Sequence, residues 1–413
     1  MKVLISGGGI GGLSLALMLH ARGVDCEIYE AAAELKELGV GINVLPHAIR
    51  ELAELGLLDE LDRIAVRTRE LRYMTRAGLE IWRELRGVDG GHDYPQFSIH
   101  RGRLLGMLRD AVIERLGAGA ITLSKRSAGF EETATGVRLD FADGTSAEGD
   151  VLIAADGIHS PIRSQLYPGE AGLRWNGVMM WRGAVEAEPL VDGRTMVVAG
   201  GFTYKLVLYP IARTDDPEKV LMNWVVTYRP GEDGAPAPGR EDWNRQGTHA
   251  ELMPHVRAFN VNIIDLEDLV QRTEVFLEYP MCDRDPAPQW TFGRVTLLGD
   301  AAHPMYPVGS NGASQAILDG RALSDELAKA ARGAQSVEDA LAAYDAHRRP
   351  IATEVVTLNR KGGPEGVIDE VERRAPDGCD DLDTVISLAE REAIVRGYAS
   401  TAGYSSDQTR TRS

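Results

Sequence analysis

The chain has 413 residues, 44% of them hydrophobic and 26% charged, which is typical of a soluble globular protein with two or three packed regions. Its formal net charge of -17 argues against nucleic acid or an anionic membrane surface as the main partner, because both attract basic patches. Three widely separated cysteines, and no apolar run near the ~20 residues that span a bilayer, predict a reduced cytoplasmic protein without disulfides, metal or membrane anchor.

The N-terminal residues predict a β-α-β unit with a glycine-rich first turn. Residues 2–6 are a predicted strand, residues 10–22 a helix and residues 24–30 a second strand. Five glycines lie where the first strand meets the helix, and four of them are candidate cofactor contacts: Gly7, Gly9, Gly11 and Gly12. This arrangement allows a tight turn and places helix N–H groups against a pyrophosphate. Glu30 ends the second strand, where its carboxylate would accept hydrogen bonds from ribose hydroxyls and repel a 2′-phosphate.

The rest of the chain alternates between helical and β patterns. In order, the predicted elements are a helix over 45–64, a strand pair turning near 77–78, a helix over 104–116, a hairpin turning at 143–144 towards a strand over 151–155, a mostly β block over 172–283, and helices over 314–331 and from 336 into 348–350. The β block is predicted to form a separate sheet, inserted before the first half resumes at Val295.

Two further strand ends carry an acid beside a glycine. Asp156-Gly157 follows the strand over 151–155, and Gly299-Asp300 follows an apolar run at 295–298. One such dipeptide is a common turn, but ligand sites at three strand ends of one chain indicate a single large ligand. Three residues precede the helix that comes next: Gly309, Asn311 and Gly312. The N-terminus of that helix would stabilise an electron-rich flavin carbonyl, and Asp300 could accept a hydrogen bond from a ribityl hydroxyl.

Arg101 lies just before the helix predicted over 104–116. A guanidinium group at this place could bind a phosphate or a ribose edge. It could equally be a solvated charge at a helix terminus, and both interpretations stay open.

Together these motifs resemble those of the single-component aromatic-ring hydroxylases, which are flavoprotein monooxygenases with one dinucleotide-binding fold. The resemblance covers nearly the whole chain. Beyond the first glycine motif it is carried by Gly41-Ile42, Arg101, Asp156-Gly157, Gly299-Asp300 and Tyr344-x-x-x-Arg348-Arg349-Pro350. Within the family, the middle block resembles the 5-methylphenazine-1-carboxylate 1-monooxygenase type, through Met180-Trp181-Arg182-Gly183, Asn223-Trp224-Val225 and residues 279–286.

The resemblance implies an α/β fold. It would consist of a Rossmann-like FAD-binding domain of the glutathione-reductase type, an inserted mixed β-sheet substrate domain and C-terminal helices. The implied segments are 1–70, 99–171 and 285–350 for FAD, strands from 71–98 and a β-sheet from 172–284 for substrate, and a C-terminal helical segment and tail from 351–413.

The resemblance also implies a reaction. NADH or NADPH would reduce bound FAD, O2 would add at flavin C4a, and the resulting hydroperoxide would hydroxylate an aromatic ring, such as a phenazine or an aromatic acid. No second glycine fingerprint appears, which fits a transient nicotinamide donor. The implied FAD ligands are Gly7, Gly9, Gly11, Gly12, Glu30, Gly41, Arg101, Asp156, Asp300, Gly309, Asn311 and Gly312. The expected partners are a small aromatic substrate and O2, and the expected assembly is a monomer or homodimer.

Candidate substrate contacts come from the inserted sheet and the loop after Asp300. They are Met180, Arg182, Tyr209, Trp224, Tyr306 and Pro307, and Tyr204 and His47 are candidate catalytic residues. Ordinary packing in a core or on a surface is the competing interpretation for each. No nucleophilic triad or metal-ligand spacing is visible. Two other functions stay open: a flavin-dependent reductase or oxidase on another small molecule, and a non-catalytic flavoprotein that sequesters an aromatic metabolite.

Overall fold

The computed structural model of the protein describes residues 1–36, 39–238, 245–376 and 378–409. The strands are β1 (Lys2–Ser6), β2 (Asp25–Tyr29), β3 (Gly41–Val44), β4 (Val66–Thr68), β5 (Glu70–Met74), β6 (Glu80–Leu85), β7 (Gln96–His100), β8 (Ile121–Thr122), β9 (Ser127–Glu132), β10 (Val137–Phe141), β11 (Ser146–Gly149), β12 (Val151–Ala154), β13 (Arg174–Ala187), β14 (Thr195–Ala199), β15 (Tyr204–Arg213), β16 (Val220–Tyr228), β17 (Phe276–Asp283), β18 (Thr291–Phe292) and β19 (Val295–Leu297). The helices are α1 (Ile10–Ala21), α2 (Pro46–Glu54), α3 (Leu58–Ile64), α4 (Arg101–Leu116), α5 (Pro161–Leu166), α6 (His249–Val256), α7 (Leu266–Gln271), α8 (Gly312–Ala331), α9 (Val337–Arg360), α10 (Gly366–Arg374), α11 (Leu388–Thr401) and α12 (Ser406–Thr409).

A six-stranded sheet forms around the glycine-rich turn, in the order β18-β19-β12-β1-β2-β8. Strands β19, β12, β1, β2 and β8 run parallel, and β18 is antiparallel. β12 is buried at every position, because a parallel strand in the middle of such a sheet is covered on both faces. The carboxyl ends of β1, β12 and β19 therefore meet at one edge, and the three predicted acid- and glycine-bearing motifs lie together there. The predicted N-terminal β-α-β unit is confirmed.

A seven-stranded sheet contains most of the middle block, in the order β17-β13-β16-β15-β14-β5-β6. β5 and β6, the predicted strand pair, join it through a parallel pairing of β5 with β14. One face packs on α6 and α7 around Trp224, and the other faces the FAD-type half of the chain and the C-terminal helices. The predicted α/β fold with an inserted mixed sheet and C-terminal helices is confirmed.

Three local predictions need correction. The helix predicted over 45–64 is two helices, α2 and α3, with a break between them. The hairpin turn at Asp143-Gly144 joins β10 to the additional strand β11, and not to the strand that begins at Val151. Helix α9 continues through Pro350 to Arg360, so the segment boundary expected at residue 350 falls inside a helix. No helix in the described ranges has the length and apolarity to cross a membrane.

Candidate functional site

A cavity of about 360 Å³ lies between the two large sheets. One side is formed by the loops after β1, β12 and β19 together with the start of α8, and the opposite side by one face of β13, β15 and β16. Of the predicted cofactor residues, those in its wall are Gly9, Gly11, Gly41, Arg101, Asp300, Asn311 and Gly312. The others, Gly7, Gly12, Glu30, Asp156 and Gly309, are outside the lining and support it from behind.

The glycines of the first loop have different tasks. Gly7 has φ +109°, and a Cβ atom there would lie 2.3 Å from the Ala155 carbonyl oxygen, so the loop can cross β12 only with glycine. A Cβ on Gly12 would lie 2.1 Å from the Gly7 carbonyl oxygen, which explains the close contact of helix and turn. No atom lies within 4 Å of the Cβ position of Gly9, which leaves the N-terminus of α1 open to a ligand.

Glu30 closes the same loop. Its two carboxylate oxygens accept hydrogen bonds from the backbone N–H groups of Gly8 and Ala32, each at 2.7 Å. The carboxylate is therefore held at the end of β2, as expected for an acid that meets a ribose.

The segment that begins with Asp156-Gly157 supports the loop that carries Asp300. Burial raises the pKa of Asp156 to about 6. Seven residues later the buried Arg163 donates to the carbonyl oxygens of Ala301 and Ala302, both at 2.9 Å. Asp156 itself is not in the cavity wall, whereas Gly157 is.

Asp300 and Arg101 both line the cavity and interact electrostatically. Burial by the surrounding protein raises the pKa of Asp300, and the positive charge of Arg101 opposes that rise. Arg101 opens α4, and its side chain packs 3.5 Å from the Cβ position of Gly39. These two residues place one acceptor and one cation on the same side of the cavity.

A buried ionic network holds the loop that carries Asp300. Asp319 of α8 accepts hydrogen bonds from His303 Nε2 at 2.5 Å, from the Gly299 N–H at 3.2 Å and from Arg348 Nε at 2.8 Å. Burial opposes the charge of Asp319, but His303 and Arg348 lower its pKa to about 2. Arg348, in the Arg-Arg-Pro motif of α9, is not part of the cavity wall. It thus affects the cavity indirectly, through its contact with Asp319.

The loop from Pro307 to Gly312 is strained where it meets the cavity. Gly309 and Ser310 have φ angles of +65° and +56°, so Ser310 is a non-glycine residue held in left-handed backbone. A Cβ on Gly309 would lie 2.6 Å from the ring of Tyr398 in α11. The Tyr398 hydroxyl also accepts a hydrogen bond from Asn311 Nδ2 at 3.1 Å. Helix α11 therefore supports this loop through Tyr398.

Alternation along the strands decides which predicted substrate residues reach the cavity. Met180 and Arg182 of β13 and Tyr209 of β15 are in its wall, and Pro307 is as well. Arg182 donates to the Gly41 carbonyl oxygen and to the Tyr279 hydroxyl, the latter at 3.1 Å. Burial raises the pKa of Tyr209 to about 12, so its phenol keeps its proton at neutral pH.

The structure places four predicted residues elsewhere. Tyr204 is on the opposite face of β15 and packs against Tyr228, with ring centroids 4.8 Å apart. Trp224 is on that same face, fully buried, with its indole N–H donated to Thr273 at 2.9 Å. Neither side chain reaches the cavity, because a strand turns successive side chains to opposite faces.

His47 and Tyr306 also lie outside the cavity wall. His47 is buried at the start of α2, 5.9 Å from the Tyr404 ring centroid, and burial lowers its pKa to about 3. Tyr306 is buried behind the wall, next to Met180 and Tyr279. A neutral, enclosed imidazole that does not reach the cavity does not have the geometry of a proton-transfer group.

Two charged residues of the wall were missed. Lys205 lies on the cavity face of β15, two positions before Val207 and four before Tyr209, so alternation from Tyr209 would have found it. Glu365 comes from a short helical turn, Gly363–Glu365, after α9, and it forms an ion pair with Lys205. No local pattern in the sequence marks Glu365.

Known proteins share this architecture and much of this sequence. Residues 1–359 match the family model described as "FAD binding domain". The phenazine 1,6-dicarboxylic acid hydroxylase PhzS of Lysobacter antibioticus is 44% identical over 368 residues, which cover 87% of this chain and 89% of that protein. The 3-amino-4-hydroxybenzoate 2-monooxygenase PtnB3 of Streptomyces platensis is 33% identical over 381 residues, with 88% of each chain covered.

Solved structures show the same fold. HpxO of Klebsiella pneumoniae, complexed with FAD and uric acid, superposes with a TM-score of 0.74 at 26% identity, covering 97% of this chain and 96% of that one. A salicylate hydroxylase in a substrate complex gives a TM-score of 0.74 at 24% identity, with 98% of both chains covered, and supports the fold alone.

Proposed function

This chain belongs to the FAD binding domain family of aromatic hydroxylases, and on that premise we propose that it hydroxylates a carboxylated polycyclic aromatic of the phenazine type, with Arg182 as the carboxylate anchor. It is an FAD-dependent monooxygenase that uses NAD(P)H and O2. Bound FAD would supply the redox chemistry, which is hydride acceptance from the nicotinamide donor and activation of O2 for transfer of one oxygen atom.

The residues around the cavity fit FAD. The open N-terminus of α1 at Gly9 would receive the pyrophosphate, and Glu30 the adenosine ribose. Asp300, exposed to the cavity, would accept hydrogen bonds from the ribityl chain. The N-terminus of α8 at Asn311 and Gly312 would meet an electron-rich edge of the flavin ring. We extend the proposal to the segments: 1–70, 99–171 and 285–350 contribute the FAD side, and 71–98 and 172–284 the substrate side.

The half-buried side chain of Arg182, whose Nε atom is buried, carries the substrate assignment. Its described hydrogen-bond partners, the Gly41 carbonyl and the Tyr279 hydroxyl, are both neutral, and its Nε has no partner in the described part of the chain. A desolvated cation without an anion is costly, and a substrate carboxylate would remove that cost. The similarity to a phenazine dicarboxylic acid hydroxylase supports a tricyclic ring between Arg182 and the apolar wall at Met180.

The other wall residues would position the ring and exclude water. Val178, Met180 and Val225 form an apolar surface on the same face of the sheet as Arg182. The protonated phenol of Tyr209 can donate a hydrogen bond to a substrate oxygen or ring nitrogen. We place the protein in the cytoplasm, which its separated cysteines favour. We also propose a monomer or homodimer, and light scattering distinguishes these two states.

The test compares substrates and variants of the FAD-loaded enzyme. NAD(P)H consumption and product mass are measured with phenazine-1-carboxylic acid, phenazine-1,6-dicarboxylic acid and unsubstituted phenazine. We expect the acids to accelerate NAD(P)H consumption and to gain one oxygen atom. Arg182→Met should raise KM for the acids by ~30- to 1,000-fold, equivalent to about 2–4 kcal/mol, because the carboxylate loses its charged partner.

The matched control is Arg174→Met, at the exposed start of the same strand, where the arginine pairs with Asp233. This variant should keep KM within about twofold, as is usual for surface pairs. Equal KM values for Arg182→Met and wild type would refute the carboxylate anchor. NAD(P)H consumption without an oxygenated product would refute these compounds as substrates.

A further inference from the structure

A second charged group lies in the substrate side of the cavity. Lys205 Nζ forms an ion pair with Glu365 Oε2, and their side chains are only 12% and 9% exposed. The other oxygen of Glu365 accepts the N–H of Gly309 at 3.4 Å, in the loop that faces FAD. Glu365 lies beyond residues 1–359, the part of the chain that matches the family model. A buried ion pair contributes little stability, so its place in a ligand cavity calls for another explanation.

The register of the sheet gives the spacing between Lys205 and Arg182. Arg182 is paired with Val225, and Val225 with Val207, so Val207 lies two strands away from Arg182 on the same row. Lys205 is two residues before Val207 and points to the same face. With strands ~4.8 Å apart and a rise of ~3.3 Å per residue, the two backbone positions are about 12 Å apart. Long side chains reaching inward from that separation would fit the two ends of a tricyclic molecule.

The charges near Glu365 come from several elements. Lys205 reaches it from β15, and Asp369 of α10 lies close to Lys205, with its Oδ1 accepting the Phe202 N–H at 2.6 Å. Burial raises the pKa of Asp369. Three tyrosines also lie within electrostatic reach of Glu365, and burial raises the pKa of each, so all are neutral near pH 7: Tyr73, Tyr398 and Tyr404. Arg86 lies beside Tyr404 but is paired with Glu84.

We propose that Lys205 binds the second carboxyl group of a dicarboxylic aromatic substrate, and that this group and Glu365 then share one proton taken from solvent. The proposal rests on the proposed function, because Arg182 must hold the first carboxylate. No bond other than that to the proton is made or broken. Lys205 is a specificity residue, and Glu365 makes the second site selective for a group that can share a proton.

The charge balance requires the proton. On the substrate side, the described charged residues of the wall are Arg182, Lys205 and Glu365, which together carry one net positive charge. A dicarboxylate brings two negative charges, and one proton restores neutrality. Two carboxylates on one ammonium repel each other in a site with little water, and sharing a proton relieves that repulsion. A monocarboxylate bound at Arg182 leaves the Lys205–Glu365 pair intact and needs no proton.

The experiment measures Kd as a function of pH. Oxidised, FAD-loaded enzyme without NAD(P)H is titrated with phenazine-1,6-dicarboxylic acid or phenazine-1-carboxylic acid, and the flavin absorbance change is followed. For the diacid, Kd should rise by up to about tenfold per pH unit between roughly pH 6 and 8, because binding takes up a proton. The Kd of the monoacid should show no such slope. Glu365→Gln should bind the diacid with a flat pH profile, since its amide is already neutral.

Glu372→Gln is the matched control, because this nearby residue on α10 pairs with Arg76 outside the cavity. It should keep the wild-type slope. Lys205→Met should abolish the preference for the diacid over the monoacid, and Lys205→Arg should retain it.

Each contrary result has a definite meaning. A flat diacid profile in the wild type overturns the proposal, as does a slope that persists in Glu365→Gln. A slope lost in Asp369→Asn but kept in Glu365→Gln would assign the proton to Asp369 and also overturn it. If both acids bind but Lys205→Met keeps the diacid preference, the second site is refuted while the proposed function stands. If neither acid perturbs the flavin or accelerates NAD(P)H consumption, both proposals are refuted.

Discussion

Substitution of Asp319 by asparagine tests how the FAD side of the cavity is held together. The change keeps the shape of the side chain and removes its charge. Asp319 is fully buried and is the only carboxylate partner of Arg348 among the described residues, since the other acceptor of that guanidinium is the Gln315 amide oxygen at 2.5 Å. Asp319→Asn therefore leaves a buried cation without an anion.

The expected cost follows from that geometry. Breaking a buried ion pair by removing one partner costs about 3–5 kcal/mol. At roughly 2 °C per kcal/mol for a chain of this size, Tm should fall by ~6–10 °C. FAD should also dissociate more readily, because Asp319 holds the Gly299 N–H and His303 on either side of Asp300. The pKa of Asp319 is lowered to about 2, so its contribution is complete above about pH 4 and is lost as the pH falls towards 2.

Calorimetry and FAD release at about pH 7.5 are the assays, with Asp325→Asn as the control. Asp325 is on the same helix, but its side chain is 42% exposed and pairs with Arg22 and Arg321 at the surface. Its loss should cost no more than about 1 kcal/mol. The double variant Asp319→Asn/Arg348→Met should be more stable than Asp319→Asn alone, because no unpaired charge remains. Equal stability of the two single variants would refute the reasoning.

Three further outcomes are expected. Gly309→Ala should weaken FAD binding by ~10-fold in a fluorescence titration of apoprotein, because the backbone is left-handed and the new Cβ would lie 2.6 Å from the Tyr398 ring. The control Gly333→Ala should leave FAD affinity unchanged, since Gly333 has φ +75° but no atom within 4 Å of its Cβ position. Tyr204→Phe should keep kcat/KM within about twofold, whereas Tyr209→Phe should lower it ~5-fold or more through a lost hydrogen bond, and the reverse order would contradict the two faces of β15. Burial lowers the pKa of His47 to about 3, so the stabilisation by its neutral imidazole is present above about pH 6.5 and falls by about 2 kcal/mol by about pH 5. The free energy of urea unfolding of His47→Gln should not show that loss between the two pH values. A loss as large as in the wild type would refute the assignment to His47.

The sequence alone determined those parts of the site that depend on near neighbours. A strand, a glycine-rich turn and a helix follow one another within residues 2–21, so the phosphate-type turn needs no distant contact to be predicted. The same holds for Asp156-Gly157 and Gly299-Asp300, each directly after a buried strand. The fold class, the FAD chemistry and the aromatic hydroxylase function followed from these local patterns and the family resemblance, and they are confirmed.

Only the tertiary structure decided which side chains meet the substrate. Alternation divides β15 and β16 into two faces, but which face meets the cavity depends on where the six-stranded sheet packs. The sequence therefore did not show that Tyr204 and Trp224 lie on the far face and Lys205 on the cavity face. Glu365 reaches Lys205 across 160 residues of chain, and Tyr398 reaches Val308, beside Gly309, across 90. Such contacts arise from the packing of whole elements, and no short-range pattern in the chain encodes them.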